Sequence, residues 1–320
     1  MRDPKSIRIV FMGTPEFAVA SLEQLVTRGY NVVAVITVPD KPAGRGMQLQ
    51  QSDVKKYAES KGLLVLQPEK LKDPGFLETL KNLRAELQIV VAFRMLPEVV
   101  WQMPPLGTFN LHGSLLPQYR GAAPIHRAVM NGETETGVTT FFLKQEIDTG
   151  NIIFRKTTPV GPDETTGIIY DRLMHIGAEL VCETVDAIAS ENVTIKDQAA
   201  FIKEGETLFH APKIFREDCR INWDKDGATI HNQVRGLNPY PAAWTELHEP
   251  GGKITALKIF GVSFENKSQT GKPGTLHNGL GVSCKNGIVF IKDLQAAGKK
   301  RMSAEEFLRG YRLQPEASLV

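Results

Sequence analysis

The sequence predicts an α/β domain built on a doubly wound, mainly parallel, Rossmann-like sheet, followed by a small OB-like β-barrel domain. Three observations support this fold class. Apolar runs alternate with helical patterns in the first half of the chain, one long helical pattern follows, and the last third contains short alternating runs separated by turn pairs. We therefore predict a first domain over residues 1–190, a linker over 191–208 and a barrel domain over 209–320.

The first domain is predicted to begin with a strand, a turn and a helix. The apolar run from Ile7 to Met12 is typical of a buried strand, and it leads into Gly13, Thr14 and Pro15, with Thr14 as helix N-cap and Pro15 in the first helical turn. Further strands are predicted at 32–37, 63–66, 87–92, 108–111, 137–143 and 151–158, and further helices at 53–61, 74–83 and 166–190.

The first turn argues against a dinucleotide cofactor. Gly13 is not followed by the second and third glycines of the G-x-G-x-x-G fingerprint, and no acidic residue ends the second predicted strand. We therefore do not expect NAD or FAD.

The barrel domain is predicted from five short alternating runs and the turn pairs between them. The turn pairs are Gly251-Gly252, Asn278-Gly279 and Asn286-Gly287, and the runs lie at 244–247, 253–262, 274–276, 280–284 and 288–291. Two helices are predicted, at 228–235 and 304–311, and Ser303 with Glu306 fits a capping box before the second.

Composition is that of an ordinary globular protein. The 320 residues are 42% apolar and 23% charged, with a net charge of +2. Residues 1–190 carry 20 Lys and Arg against 21 Asp and Glu, whereas residues 209–320 carry 16 against 11, so the second domain is the basic one. There is no apolar run long enough for a membrane span and no signal-peptide pattern, and the three cysteines are far apart, which leads us to expect a cytoplasmic protein with packing cysteines and no zinc site.

One polar stretch stands out from the elements around it. Asn110 and His112 are two residues apart in a predicted strand, so their side chains share one face, and the following loop is rich in glycine and proline. Ser114 lacks the G-x-S-x-G context of a serine hydrolase. The remaining histidines form no pattern with metal-ligand spacing, and we expect no metal.

The sequence around these residues resembles the signature of the folate-dependent formyltransferases. The matching stretches are Asn110-Leu-His-Gly-Ser-Leu-Leu-Pro117, then Tyr119-Arg-Gly-Ala-Ala-Pro124, and Asp148-Thr-Gly150. Gly13 to Phe17 and Asn238 to Ala242 match the family in order as well, so the likeness covers nearly the whole chain and is greatest to the enzymes that act on methionyl-tRNA. The segment containing Phe93 and Arg94 departs from the family pattern by lacking a tyrosine and a glycine and by being one residue shorter.

The resemblance implies acyl transfer from 10-formyltetrahydrofolate to an amine, without a metal. Asn110 would donate to the developing oxyanion, and His112 would either donate to that oxyanion as well or carry a proton between the amine and the folate nitrogen. Asp148 would either orient His112 or itself accept the amine's proton, and the sequence leaves open which of the two accepts it. The resemblance also implies that the folate is bordered by Ser114, Leu115, Leu116 and Pro117.

The amine acceptor is indicated by another loop. The stretch from Pro39 to Gln48 predicts irregular structure, and it resembles the loop with which these enzymes hold initiator tRNA, so Arg45 and Lys41 are the expected tRNA contacts. The basic cluster Lys299, Lys300 and Arg301 is a further candidate. The implied function is formylation of initiator methionyl-tRNA by a monomer, the alternatives being a nucleotide-linked amino-sugar N-formyltransferase and a non-catalytic RNA-binding protein.

Overall fold

A seven-stranded, mainly parallel sheet forms the first of two structural units. The computed structural model describes residues 2–43, 48–267 and 271–320, and this unit contains residues up to 124 together with 136–158 and 170–211. Its strands are β1 (Ile9–Gly13), β2 (Val32–Ile36), β3 (Lys41–Ala43), β4 (Gln48–Gln50), β5 (Val65–Leu66), β6 (Leu87–Val91), β7 (Thr108–His112), β8 (Arg120–Gly121), β9 (Glu135–Phe142), β10 (Ile152–Pro159) and β11 (His210–Ala211).

The helices follow the predicted positions closely, and two short ones were not predicted. The unpredicted helices are α4 and α5. Along the whole chain the helices are α1 (Glu16–Thr27), α2 (Asp53–Ser60), α3 (Pro74–Asn82), α4 (Glu98–Trp101), α5 (Pro124–Met130), α6 (Thr166–Ala189), α7 (Gly227–Gly236) and α8 (Ala304–Gly310).

The strand order of the first sheet is β10-β9-β7-β6-β1-β2-β5, with β1, β2, β5, β6 and β7 mutually parallel and β9 antiparallel to β7. All five residues of β1 and of β6 are buried, because helices cover both faces of a sheet of this kind. The strand order reverses at β1, which has β2 on one side and β6 on the other. Ligands of such sheets bind outside the carboxyl ends of the strands near this reversal, and β7, the strand that bears Asn110 and His112, ends at this same edge.

Two local predictions in this unit were wrong. Helix α1 is preceded by Pro15 as N-cap without a side-chain hydrogen bond, so Thr14 does not cap it and Pro15 lies outside the helix. The stretch around Lys41 is not wholly irregular either, because β3 and β4 pair antiparallel with Pro42 opposite Leu49. Proline is tolerated there because a two-stranded ribbon has a free edge that needs no N–H donor.

The second unit contains residues 125–135, 159–169 and 212–320 and is built on an antiparallel barrel-like sheet. Its strands are β12 (Ala243–His248), β13 (Ile254–Asn266), β14 (Leu276–His277), β15 (Gly281–Cys284), β16 (Gly287–Ala296), β17 (Met302–Ser303) and β18 (Ser318–Leu319). The order is β14-β15-β16-β13-β12-β18, and a bridge between Thr275 and Ser318 brings the two ends of this order together. The predicted α/β domain followed by a small barrel is confirmed.

The core of the barrel unit is lined by alternate residues of its strands, among them Leu257, Val289 and Leu294, which pack with Trp223 and Phe307. The predicted capping box is present: Ser303 Oγ accepts a hydrogen bond from Glu306 N at 3.1 Å, and Glu306 Oε2 accepts one from Ser303 N at 2.9 Å. No helix in the described ranges has both the length and the apolar character that a membrane span requires.

All three cysteines are buried, as their interpretation as packing residues requires. Burial raises the pKa of the Cys182 thiol to about 11, so about one thiol in a thousand is ionised at pH 8. We expect a disulfide reagent at pH 8 to titrate no cysteine in the native protein and all three after unfolding. Rapid reaction of one native thiol would contradict the close packing around that residue.

Candidate active site

Strand β7 places Asn110 and His112 on one face of the first sheet. Asn110 is opposite Val90 of β6 and Phe141 of β9, and His112 is opposite Thr139 of β9. The intervening Leu111 points to the other face, where it packs against Gly177 of α6. The alternation of the strand therefore holds the two polar side chains next to each other at the carboxyl end of the sheet.

The tautomer of His112 follows from its hydrogen bond to the loop after β7. His112 is 6% exposed, and its Nε2 lies 2.9 Å from the carbonyl oxygen of Tyr119. A carbonyl oxygen can only accept, so Nε2 carries a proton. In the neutral imidazole the lone pair is then on Nδ1, which lies 3.9 Å from Asp148 Oδ2.

Asp148 reaches this position through a strained turn between β9 and β10. Its φ of 55° is in the left-handed region, where a residue with a side chain is uncommon. Asp148 Oδ2 accepts a hydrogen bond at 3.0 Å from the backbone N–H of Gly121, and its side chain is 12% exposed. The carboxylate is thus fixed between the imidazole of His112 and the backbone of β8.

Two glycines of the matched stretches allow the backbone to approach this closely. Gly121 has a φ of 126°, and a Cβ there would collide with the carbonyl of Ala211, the residue with which it pairs between β8 and β11. A Cβ on Gly150 would collide with the carbonyl of Phe142. A side chain at either position would displace the segment that holds Asp148.

The carboxamide of Asn110 has an unused acceptor. Its Oδ1 is buried and accepts no hydrogen bond from the described part of the chain. A buried polar atom without a partner costs stability, and at a cluster of polar side chains such as this one a substrate group can supply the missing bond. No internal bond to this oxygen fixes the carboxamide, so it can turn an N–H donor toward a substrate.

The segment from Ser114 to Pro117 uses most of its own polar groups internally. Ser114 Oγ donates to Gln118 O at 2.6 Å, while Thr139 Oγ1 donates to Ser114 O at 2.7 Å and accepts from Leu116 N at 3.1 Å. Leu116 is fully buried against Phe141 and Ile152, and Pro117 is buried too. Leu115 is only half-buried and is the side chain of the four with surface left for a ligand.

The segment that departs from the family pattern is held by its arginine. Arg94 Nη1 donates to Glu69 O at 2.8 Å and Nη2 donates to Pro68 O, and burial lowers the pKa of this guanidinium. The guanidinium also lies over the ring of Phe93. These contacts tie the short segment after β6 to the loop after β5.

An ion pair supports the base of the β3–β4 ribbon. Asp40 accepts hydrogen bonds from Lys55 Nζ at 2.5 Å and from Gln67 Nε2 at 2.7 Å. The bond from Lys55 lowers the pKa of the Asp40 carboxyl and raises the pKa of the lysine, so both are charged at neutral pH. Beside it lies a polar cleft of about 610 Å³ lined by residues that include Thr14, Gln50 and Lys56.

The residues predicted to contact tRNA differ in the exposure and ion pairing of their side chains. Arg45 lies outside the described residues, and Lys41, at the start of the ribbon, is exposed. Lys299 and Lys300 are exposed as well, whereas Arg301 donates from Nε to Asp293 Oδ2 at 2.7 Å and lies over the ring of Phe260. The charge of Arg301 is therefore partly neutralised within the barrel unit.

Sequence reasoning missed Gln198, which contacts the segments on both sides of Asp148. It belongs to residues 191–208, for which a linker is predicted, and these residues cluster with the first unit. Gln198 is 2% exposed, its Nε2 lies 2.8 Å from both Asp148 O and Gly150 O, and its Oε1 accepts from Arg120. No local pattern could have indicated it, because its partners are about 50 and 78 residues away.

Among the residues that the structure describes, no three His, Cys, Asp or Glu side chains are grouped to hold a metal ion.

Comparison with known proteins finds relatives over nearly the whole chain. A family model described as formyl transferase matches residues 7–185, and one described as formyl transferase, C-terminal domain, matches residues 213–312. The methionyl-tRNA formyltransferase of Bacteroides fragilis is 54% identical over 313 residues, which is 97% of this chain and 96% of that protein. That of Parabacteroides distasonis is 55% identical over 313 residues, 96% of this chain and 97% of that protein.

A solved structure shares the fold at much lower identity. The sugar 3N-formyl transferase WlaRD, crystallised in the presence of dTDP and 5-N-formyl-THF, superposes with a TM-score of 0.63 at 20% identity, covering 92% of this chain and 99% of its own. The chain belongs to the formyl transferase family and falls within it among the methionyl-tRNA formyltransferases.

Proposed function

We propose that this protein transfers the formyl group of 10-formyltetrahydrofolate to the α-amino group of methionyl initiator tRNA, as a step of translation initiation. The observation that carries the proposal is the grouping of Asn110, His112 and Asp148 at the carboxyl end of the sheet. The chain that bears this group is more than 50% identical to methionyl-tRNA formyltransferases. The folate supplies the formyl group and receives a proton as it leaves.

His112 is proposed to accept the proton of the attacking amine. Its Nε2–H is bonded to Tyr119 O, so the free lone pair is on Nδ1, beside Asp148. Protonation creates an imidazolium whose charge the Asp148 carboxylate stabilises from 3.9 Å. The same proton can pass to the departing folate nitrogen, so the amine loses one proton, the folate gains one, and the enzyme ends unchanged.

Asn110 is proposed to stabilise the charge that develops on the formyl oxygen. Its carboxamide N–H donates without changing charge, and Oδ1, which has no partner among the described residues, can accept from the attacking amine. One side chain would thereby orient both reacting groups.

The remaining binding roles are proposed from position. Ser114, Leu115, Leu116 and Pro117 would border the folate, with Leu115 supplying apolar contact and backbone groups the polar contacts. Arg45 and Lys41, with Lys299, Lys300 and Arg301, would bind the tRNA backbone, and salt would weaken this binding. Residues 1–190 would then form the catalytic domain and residues 209–320 the tRNA-binding domain.

The test of this function is a formyl-transfer assay with three acceptors offered in parallel. These are methionylated initiator tRNA, methionylated elongator tRNA and a nucleotide-linked amino sugar, each with 10-formyltetrahydrofolate. Preferential transfer to the initiator tRNA is expected. Transfer to the sugar alone would keep the chemistry and overturn the proposed acceptor, and binding of tRNA without transfer would indicate a non-catalytic RNA-binding protein.

Replacing Arg45 tests its proposed contact with the tRNA. We expect Arg45→Ala to lower kcat/KM for the tRNA by about tenfold or more, because a phosphate contact is lost, and to leave the Kd for the folate unchanged. Lys72→Ala, which removes an exposed cation elsewhere in the first unit, is the control and should retain full activity. Equal loss of folate binding in Arg45→Ala would contradict the assigned role.

A further inference from the structure

We infer that Gln198 is a positioning residue of the active site, which acts through Asp148. The inference rests on the proposed role of Asp148 and adds the group that keeps its turn in place. Gln198 starts a short 3₁₀-helix, Gln198–Phe201, whose N-cap Asp197 accepts a hydrogen bond from Ala199 N at 2.8 Å. Just before it, the backbone of Lys196 exchanges two hydrogen bonds with Ile152 at the start of β10. The segment is therefore anchored to the sheet on which the turn is built.

Both the nitrogen and the oxygen of the Gln198 carboxamide form hydrogen bonds with residues of the site. Its nitrogen has two hydrogens, and these match the carbonyl oxygens of Asp148 and Gly150, both 2.8 Å away. Its oxygen accepts from Arg120 Nε at 3.0 Å and from Arg120 Nη2 at 2.6 Å. No hydrogen-bonding capacity of the nitrogen is left over, which is typical of a buried group that specifies one geometry.

Two of these hydrogen bonds hold the strained part of the turn at Asp148 and Gly150. The left-handed φ of 55° at Asp148 persists only if its surroundings hold it, and the bond from Gln198 fixes the carbonyl of that residue. Through Arg120 the same carboxamide fixes the residue before Gly121, whose N–H donates to the Asp148 carboxylate. Gln198 thus links the backbone of Asp148 to the group that orients its side chain.

Two substitutions test this role. Gln198→Glu puts a carboxylate oxygen against the two carbonyl oxygens while keeping an acceptor for Arg120, and Gln198→Met keeps the volume of the side chain without any polar group. We expect both to lower kcat by about 10- to 100-fold, since small displacements of a catalytic group have effects of this size, with KM for either substrate changed less than twofold. The chain offers a matched control in Gln233→Glu, because Gln233 Nε2 also donates to two carbonyls, Asp218 O and Arg220 O, in the second unit. We expect that variant to keep kcat within twofold, because its two carbonyl partners do not belong to the Asp148 turn.

A double-mutant cycle separates positioning from general stability. In an Asp148→Ala background, measured by single turnover with excess enzyme, Gln198→Met should change the residual rate less than threefold, because the group on which it acts is absent. The inference is overturned if Gln198→Met keeps normal kcat, or if it slows the Asp148→Ala enzyme by the same factor as the unsubstituted one. If Asp148→Ala alone were fully active, the proposed role of Asp148 itself would fail, which is a different result.

Discussion

His112→Gln is expected to lower kcat by about 10³-fold while the protein stays folded. The glutamine amide can still donate from the position of Nε2 to Tyr119 O, so the loop after β7 keeps its contact. The base at Nδ1 is lost, and removal of a positioned acid–base group typically slows a reaction by about 10²–10⁴-fold. The measurement is the single-turnover rate of formyl transfer at saturating concentrations of both substrates, together with the melting temperature.

A control substitution exists in the barrel unit. His277 Nε2 lies 2.7 Å from Ser283 Oγ, so His277→Gln also replaces a ring nitrogen by an amide at a side-chain contact, but in the other unit. We expect its rate to match that of the unsubstituted enzyme. A near-normal rate for His112→Gln would remove His112 from the proton transfer and leave Asp148 as the acceptor.

Asn110→Ala is expected to cost about 10²–10³-fold in kcat, which corresponds to roughly 3–4 kcal/mol of barrier. The reason is loss of the N–H donor that stabilises charge in the transition state, together with loss of the Oδ1 acceptor that orients the attacking amine. Folding should not suffer, because the buried Oδ1 has no partner in the described residues and its removal leaves no broken bond. We therefore expect a melting temperature equal to or above that of the unsubstituted protein.

A second substitution at the same position sharpens the test. Asn110→Asp keeps the shape but replaces the N–H donor by a charged acceptor, so it should slow the reaction at least as much as Asn110→Ala. The Kd for the folate should change less than the rate in the alanine variant, since the donor acts on a charge that is absent in the ground state. A folate Kd that rises in proportion to the loss of rate would show that Asn110 serves binding instead of catalysis.

The sequence by itself determined the longer elements and which side chains share a face within them, but not short elements such as α4 and α5. The mainly parallel sheet, helix α6, the barrel strands and the capping box at Ser303 depend on residues a few positions apart, which is the range over which periodicity and capping act. The shared face of Asn110 and His112 follows from the same two-residue repeat. The local errors were at Pro15 and Lys41, where a turn and a short ribbon depend on how the chain continues beyond them.

Only the tertiary structure decided how the groups of the candidate site are oriented. The tautomer of His112 depends on its contact with Tyr119 O. The position of the Asp148 side chain depends on a hydrogen bond from the backbone N–H of Gly121. The carbonyl of Asp148 is bound by Gln198, which lies in a stretch without periodic pattern. These contacts join residues 7, 27 and 50 positions apart, and they exist because strand order and loop packing bring distant segments to one edge of the sheet. Motif spacing can indicate which chemical groups are present, but hydrogen-bond direction at the site requires the distances between them.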